Sequence, residues 1–223
     1  MNDATYLLDE SLGKLTEIHD IQIEMASDEW EARPPNEKKE RERALRAAEQ
    51  QATSYTSLGK STVALLKDFT AETKPPFMTP EIVDRLAAML NYNLDALVGP
   101  KCQNLNVKNM DKYRFNPRQL LSDIMQVYLN LSDQPEFVRA VAGEGRSYNM
   151  SLFQRAASIA HKRSLKSSPE IEQLLMFVTK VEETKVLILA EDDLGEIPDE
   201  FLGKVYLNFL VYGPSFFLLP KTL

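Results

Sequence analysis

Apolar positions in this chain recur at steps of three and four rather than two. Over residues 3–26 they fall at Leu8, Leu12, Leu15, Ile18, Ile21 and Met25, one face of a helix with about 3.6 residues per turn. Asp28 to Pro35 interrupts the pattern, with Trp30 as an anchor into the core. Residues 36–56 then interleave acids and bases from Glu37 to Glu49 over a thin stripe of Leu45, Ala48 and Ala52. That pattern predicts a solvated helix held by charge pairs four apart. A separate short helix is expected over 61–70, burying Val63, Leu65, Leu66 and Phe69 and stopped by Lys74-Pro75-Pro76.

The second half is better punctuated. Thr79-Pro80-Glu81 supplies an N-cap residue, a proline at the first helical position and an acid in the first turn. Ile82, Val83, Leu86, Met89, Leu90 and Leu94 follow as the buried face, and Gly99-Pro100 ends the helix. Residues 99–116 form a polar loop of a length at which loops often carry function. Asn116-Pro117 opens a helix through Leu131, Ser132 to Glu136 starts a short one ending near Gly143 and Gly145, and Asn149 starts another through Ala160. Ser168-Pro169-Glu170 opens the last, with Ile171, Leu174, Leu175, Phe177, Val178 and Val181 as its apolar positions. Eight helices and no alternating strand predict an all-α fold of stacked antiparallel helical pairs, an irregular α-solenoid or bundle.

Charge changes this picture in one place. Residues 181–200 hold eight acids against Lys185, which accounts for the whole formal charge of −7 and leaves the rest near neutral. No broad basic face remains for nucleic acid. No apolar run reaches the roughly 18–20 residues of a membrane span; in the nearest, 205–219, Asn208, Gly213, Pro214 and Ser215 interrupt. The single cysteine, Cys102, excludes an internal disulfide and a multi-cysteine metal site, and fits the cytoplasm and nucleus.

No catalytic, cofactor-binding or metal-binding residue can be assigned. His19 and His161 lie far apart with no ligand spacing around them. Cys102 beside Lys101 lacks a base and an oxyanion site. Gly143-Glu144-Gly145-Arg146-Ser147 lacks the lysine and spacing of a phosphate loop and reads as a helix C-cap and turn. The carboxylates of 191–200 have no apolar surroundings to split their pKa values, so they read as a solvated linker.

Several long stretches together carry a resemblance. They are Asn2 to Leu12, Phe77 to Leu94 continuing through Leu97-Val98-Gly99-Pro100-Lys101, Tyr113 with Phe115 to Leu121, Ser147-Tyr148, and Asp193 to Leu202. In order, they resemble the core of ubiquitin conjugation factor E4, the U-box ligases that lengthen ubiquitin chains. The resemblance covers about residues 1–202. It implies an elongated core of stacked helical pairs followed by a small U-box, which recruits a ubiquitin-conjugating enzyme loaded with ubiquitin. It also implies ubiquitinated substrates and a AAA unfoldase as partners. No covalent intermediate forms on such a ligase, so its rate gain comes from proximity and orientation.

The expected organisation is therefore the C-terminal part of that core over 1–190, an acidic linker over 191–200, and a vestigial start of a U-box with a divergent tail over 201–223. After Phe201-Leu202 the chain reads Gly203-Lys204-Val205-Tyr206-Leu207-Asn208, which departs from the family's U-box, as a foreign reading of the gene end would. No contact to a conjugating enzyme can be carried onto these residues. The expected function is that of a fragment of a chain-elongation factor that keeps scaffold and lacks the conjugating-enzyme module. The alternative is a non-catalytic helical module that binds an unfoldase or a ubiquitinated client.

Overall fold

The computed structural model describes residues 2–195. Eight α-helices and three short 3-10 turns, with no strand, make up those residues. They are α1 (Asn2–Met25), α2 (Asp28–Ala32), α3 (Pro35–Glu72), α4 (Pro80–Val98), α5 (Pro117–Leu131), α6 (Pro135–Gly143), α7 (Met150–Lys162) and α8 (Ser168–Gly195). The all-α expectation holds, and so does the number of helices, but two of the eight are drawn differently. The expected helices over 36–56 and 61–70 are one continuous helix, α3. The interruption at 28–35 contains the five-residue α2, whose Trp30 is buried under Arg33 and Lys38, each 5.9 Å from its ring.

Gly59 explains the false break in α3. A Cβ there would stand 3.1 Å from Leu8 Cδ2. The glycine lets α1 press close against α3 and does not end the helix. The two helices run antiparallel: Glu24 meets Arg41 at one end, Ser11 Oγ lies 2.9 Å from Thr56 Oγ1 in the buried middle, and Tyr6 packs edge-on against Tyr55 at the other. Leu8, Leu12, Leu15, Ile18 and Ile21 of α1 are buried, packed among α3, α4 and the turn Cys102–Leu105.

Past Gly59, α3 turns its buried side to α5, through Val63, Leu66 and Thr70. Leu65 and Phe69, expected inside, are 54% and 55% exposed, as is Leu58 at 53%. The buried phase runs 52, 56, 59, 63, 66, 70, and these three residues lie about a quarter-turn or more away from it.

Helix ends follow local chemistry. Asn116 Oδ1 accepts from Gln119 N at 3.0 Å, and Asn149 Oδ1 from Ser151 N at 2.9 Å. Thr79 occupies the N-cap of α4 but makes no side-chain cap bond; Pro80 alone does the local work. Before α8, Ser167 donates both its N–H, at 2.8 Å, and its hydroxyl, at 2.7 Å, to Glu170 Oε2, the carboxylate half of a capping box. Gly99 follows the last residue of α4, and only glycine fits there, because a Cβ would stand 2.1 Å from Asp95 Oδ1 and 2.3 Å from the Asp95 carbonyl oxygen.

The core of the second half is aromatic. Tyr128 on α5, Phe137 on α6, Phe153 on α7 and Phe177 on α8 meet with ring centroids 5.0–6.3 Å apart. All four are essentially inaccessible to water. Each such ring removes a large apolar surface from water and adds about 0.5–1.5 kcal/mol per ring pair.

The chain divides into two compact units, Met1–Glu182 and Glu183–Leu223. In the second, the described residues are the last turns of α8. The helix therefore includes 191–195, the first part of the expected acidic linker, and Val186, Leu187 and Leu189 on it are exposed. Residues 196–200 and the expected U-box start and tail, 201–223, lie outside the described residues.

Candidate functional site

Polar side chains inside a helical stack need partners, because an unpaired buried group costs about 1–3 kcal/mol. Two polar networks, each running from buried groups to part-buried ones, meet that need here. The first joins α4, α5 and the turn after α6. Tyr128 OH donates to Asn91 Oδ1 at 2.6 Å, and Asn91 Nδ2 donates to Glu144 Oε2 at 3.1 Å. The Glu144 carboxylate also accepts the backbone N–H groups of Arg146 (3.0 Å), Ser147 (2.9 Å) and Tyr148 (2.9 Å). The turn over 143–147 is thus organised by a carboxylate. Tyr148 OH in turn donates to Glu182 on α8 at 2.7 Å.

The second network joins α3, α5 and the start of α8. Lys67 Nζ and Gln119 Nε2 both donate to Asp123 Oδ1 at 3.1 Å. Asn130 Nδ2 donates to the Lys67 carbonyl at 2.9 Å and to Thr70 Oγ1 at 3.0 Å, and Gln126 Nε2 donates to Asn130 Oδ1 at 2.9 Å. Gln126 Oε1 accepts from the buried Lys166, which also pairs with Glu170.

The buried phenols near these networks are held in the donor form. Burial pushes the Tyr128 hydroxyl well above its ordinary range, helped by Glu144 and Tyr148. Burial first, then the hydrogen bond to Glu182, pushes Tyr148 up. Burial first, then the bond to Glu49, does the same for Tyr113. Each phenol therefore stays a neutral donor to a fixed acceptor. Glu144 has donors on both oxygens.

The residues weighed from sequence do not come together. His19 Nδ1 lies 3.0 Å from the Asn106 carbonyl oxygen and helps pin the 99–116 loop to α1. His161 is exposed in the last turn of α7. Cys102 is half-buried in a 3-10 turn. Among the described residues no group of three or more His, Cys, Asp or Glu could hold a metal ion, and no helix is long and apolar enough to cross a membrane.

The 99–116 loop is a plug. Leu105, Val107, Tyr113 and Phe115 are buried, Tyr113 OH donates to Glu49 at 2.7 Å, and Lys108 N donates to Gln22 Oε1 at 2.8 Å. Asn109 and Arg114, at φ 58° and 55°, flank the 3-10 turn Met110–Tyr113. Their left-handed geometry is uncommon outside glycine and is held here by the buried Tyr113 and Phe115.

Asn91, Asp123, Asn130 and Glu144 escaped the sequence reading. A signal existed for Asn91, which sits on the apolar phase of α4 between Ala87 and Leu94. A polar residue on such a phase marks a buried hydrogen bond.

A third feature is open. Thr5, Tyr6 and Asp9 of α1, Arg85, Met89 and Tyr92 of α4, and Arg146 and Ser147 line a surface hollow of about 600 Å³.

Residues 1–182 match the family model described as the ubiquitin elongating factor core. The chain belongs to that family. The match ends at the residue that closes the first compact unit, so the family and the described core coincide. Relatives of this core family include the ubiquitin conjugation factor E4 of Schizosaccharomyces pombe, 51% identical over 94% of this chain. The E4 ubiquitin-protein ligase UFD2 of Saccharomyces cerevisiae is 45% identical over 94%, and the ubiquitin conjugation factor E4 A of Rattus norvegicus 35% over 92%. The chain spans about a fifth of the length of these curated relatives: 21%, 22% and 19%. The resemblance to ubiquitin conjugation factor E4 drawn from sequence is therefore correct.

Proposed function

We propose that residues 1–182 serve as scaffold in a ubiquitin chain-elongation factor. In this reading the helical core holds a ubiquitinated substrate within reach of a ubiquitin-conjugating enzyme, in the cytoplasm and nucleus. The core contributes position and not chemistry, so its effect is on encounter geometry. The observation that carries the reading is the family match over the packed core, whose buried polar groups are consumed in joining helices. A AAA unfoldase is the second expected partner of the same scaffold.

The test is a ubiquitin-chain assay with a permissive conjugating enzyme and a ubiquitinated substrate. The 223-residue chain alone should give no chain growth above the enzyme-free rate. Robust growth would overturn the assignment of these residues to scaffold alone. A pull-down of the chain with ubiquitinated client and with unfoldase tests the holding role, and recovery of neither would remove it.

A further inference from the structure

Past its charged first half, α3 carries an apolar stripe on its outer side. Leu58, Leu65 and Phe69 are each more than half exposed, and Tyr55 and Thr62 between them are half-buried. The five positions fall at steps of three and four, two heptads of a coiled-coil seam over about 21 Å of helix. Tyr6 of α1, also more than half exposed, packs edge-on against Tyr55 and widens the stripe at one end. Little on this face resists burial. From Gln50 to Leu66 the only charged residue is Lys60. It lies about 200° round the helix from Leu58, beside Arg114 and Gln119. The hydroxyls of Ser61 and Thr62 donate to the Ser57 and Leu58 carbonyls at 3.0 Å, so neither needs water.

The geometry round α3 decides what fits. Gly59, pressed against Leu8 of α1, lies about 100° from Leu58. The stripe therefore faces the corner next to α1, where a further helix completes a four-helix arrangement. The stripe is also complementary to itself when run antiparallel. About a two-fold axis between Val63 and Ala64, Leu58 of one chain meets Phe69 of the other and Thr62 meets Leu65, apolar against apolar in each layer. The charged halves, residues 37–49, then run past the end of the opposite α3 and stay in water. Parallel pairing in register would lay them side by side with like charges level.

We propose that this stripe docks a second copy of the chain, α3 against α3 in antiparallel, with Tyr6 of each α1 flanking the seam. Covering Tyr6, Tyr55, Leu58, Thr62, Leu65 and Phe69 removes on the order of 400 Å² from each copy, about 800 Å² in all, which is below the standard interface and in the class of weak, reversible contacts. The dimer is accordingly weak, with a Kd on the order of 0.1 mM. The inference goes beyond the scaffold role above, since a monomer and a dimer can each hold a substrate.

The test is sedimentation equilibrium of the whole 223-residue chain from about 10 μM to about 1 mM, either side of that constant. The mass should rise with concentration from 25.4 kDa towards twice that value. Leu65→Glu and Phe69→Glu each set a carboxylate against an apolar partner and should weaken the dimer by about tenfold or more. Both positions are exposed in the monomer, so circular dichroism of the dilute variants should match the wild type. Leu187→Glu, on the exposed apolar part of α8, should leave the dimer unchanged. Orientation is read by a short bis-maleimide in a Cys102→Ser background. Thr62→Cys, about 5 Å from its mate along the seam, should cross-link to itself, and Leu58→Cys, about 16 Å from its mate, should not. A chain that stays monomeric throughout, whether its own residues 205–219 cover the stripe or nothing does, overturns the proposal. So does a dimer that survives Leu65→Glu, one that Leu187→Glu abolishes, or equal cross-linking through Leu58→Cys and Thr62→Cys.

Discussion

Glu144 does at the scale of one residue what a helix cap usually needs several groups to do. Its carboxylate gathers the Asn91 amide and the backbone N–H groups of 146–148. Bonds to a charged acceptor contribute about 1.5–3 kcal/mol each before the loss of partners is counted. Glu144→Ala should therefore lower stability by about 3 kcal/mol in urea unfolding, with Glu144→Gln losing roughly half as much. Glu24 gives a pH signature of the opposite kind of residue, one on a helix end. The hydrogen bond from Arg41, followed by the charges of Arg41 and Arg33, holds its carboxyl below the usual range. A depressed folded-state pKa means that stability is present above the unfolded value and is lost as pH falls through the folded one. Acid unfolding of Arg41→Met should show a weaker dependence in that window than the wild type. Neither residue was legible as special in the sequence. Glu24 sits in an ordinary run, and Glu144 lies between two glycines that drew attention to turn geometry instead of to its side chain.

At the scale of the element, α3 shows where periodicity misleads. Gly59 and its polar neighbours Ser57 and Lys60 look like a break, yet the helix continues because its partner is close. A glycine inside a helix costs about 1 kcal/mol against alanine, and the approach of Leu8 explains its presence. Gly59→Val should destabilise by about 2 kcal/mol through overpacking, measured as a lower unfolding midpoint, whereas a true break would tolerate it. The same helix separates inside from outside. Leu66→Ala should cost about 2–5 kcal/mol, and Leu65→Ala should stay within about 0.5 kcal/mol, although the two leucines are adjacent in sequence. The charged first half was also read too locally. Arg46 pairs with Glu42 at 3.7 Å as expected, but Lys38 reaches Glu31 and Glu49 takes Lys112 at 2.7 Å from the 99–116 loop. Charge pairs within one helix follow from spacing alone; pairs between elements depend on which elements meet.

At the scale of the first compact unit, the aromatic cluster ties together α5, α6, α7 and the part of α8 up to Glu182. Phe177→Ala should cost about 3–5 kcal/mol. In native-state hydrogen exchange of the wild type, the α5 amides of Ile124, Met125, Val127 and Tyr128 should exchange among the last, because their side chains are fully buried. The all-α class, seven of the helix starts and most of the buried apolar positions were determined by the sequence alone, since a 3.6-residue period and proline-marked first turns are local properties of the chain. Family membership was legible too, because long runs such as Phe77 to Leu94 keep their order. What tertiary structure alone decided was which apolar residues were inside on a helix with more than one apolar flank, that the 99–116 loop is a plug, and where Asn91, Asp123 and Glu144 find their partners. Those outcomes depend on contacts such as Tyr113 with Glu49, 64 residues apart in the chain, and no local spacing encodes a neighbour that distant.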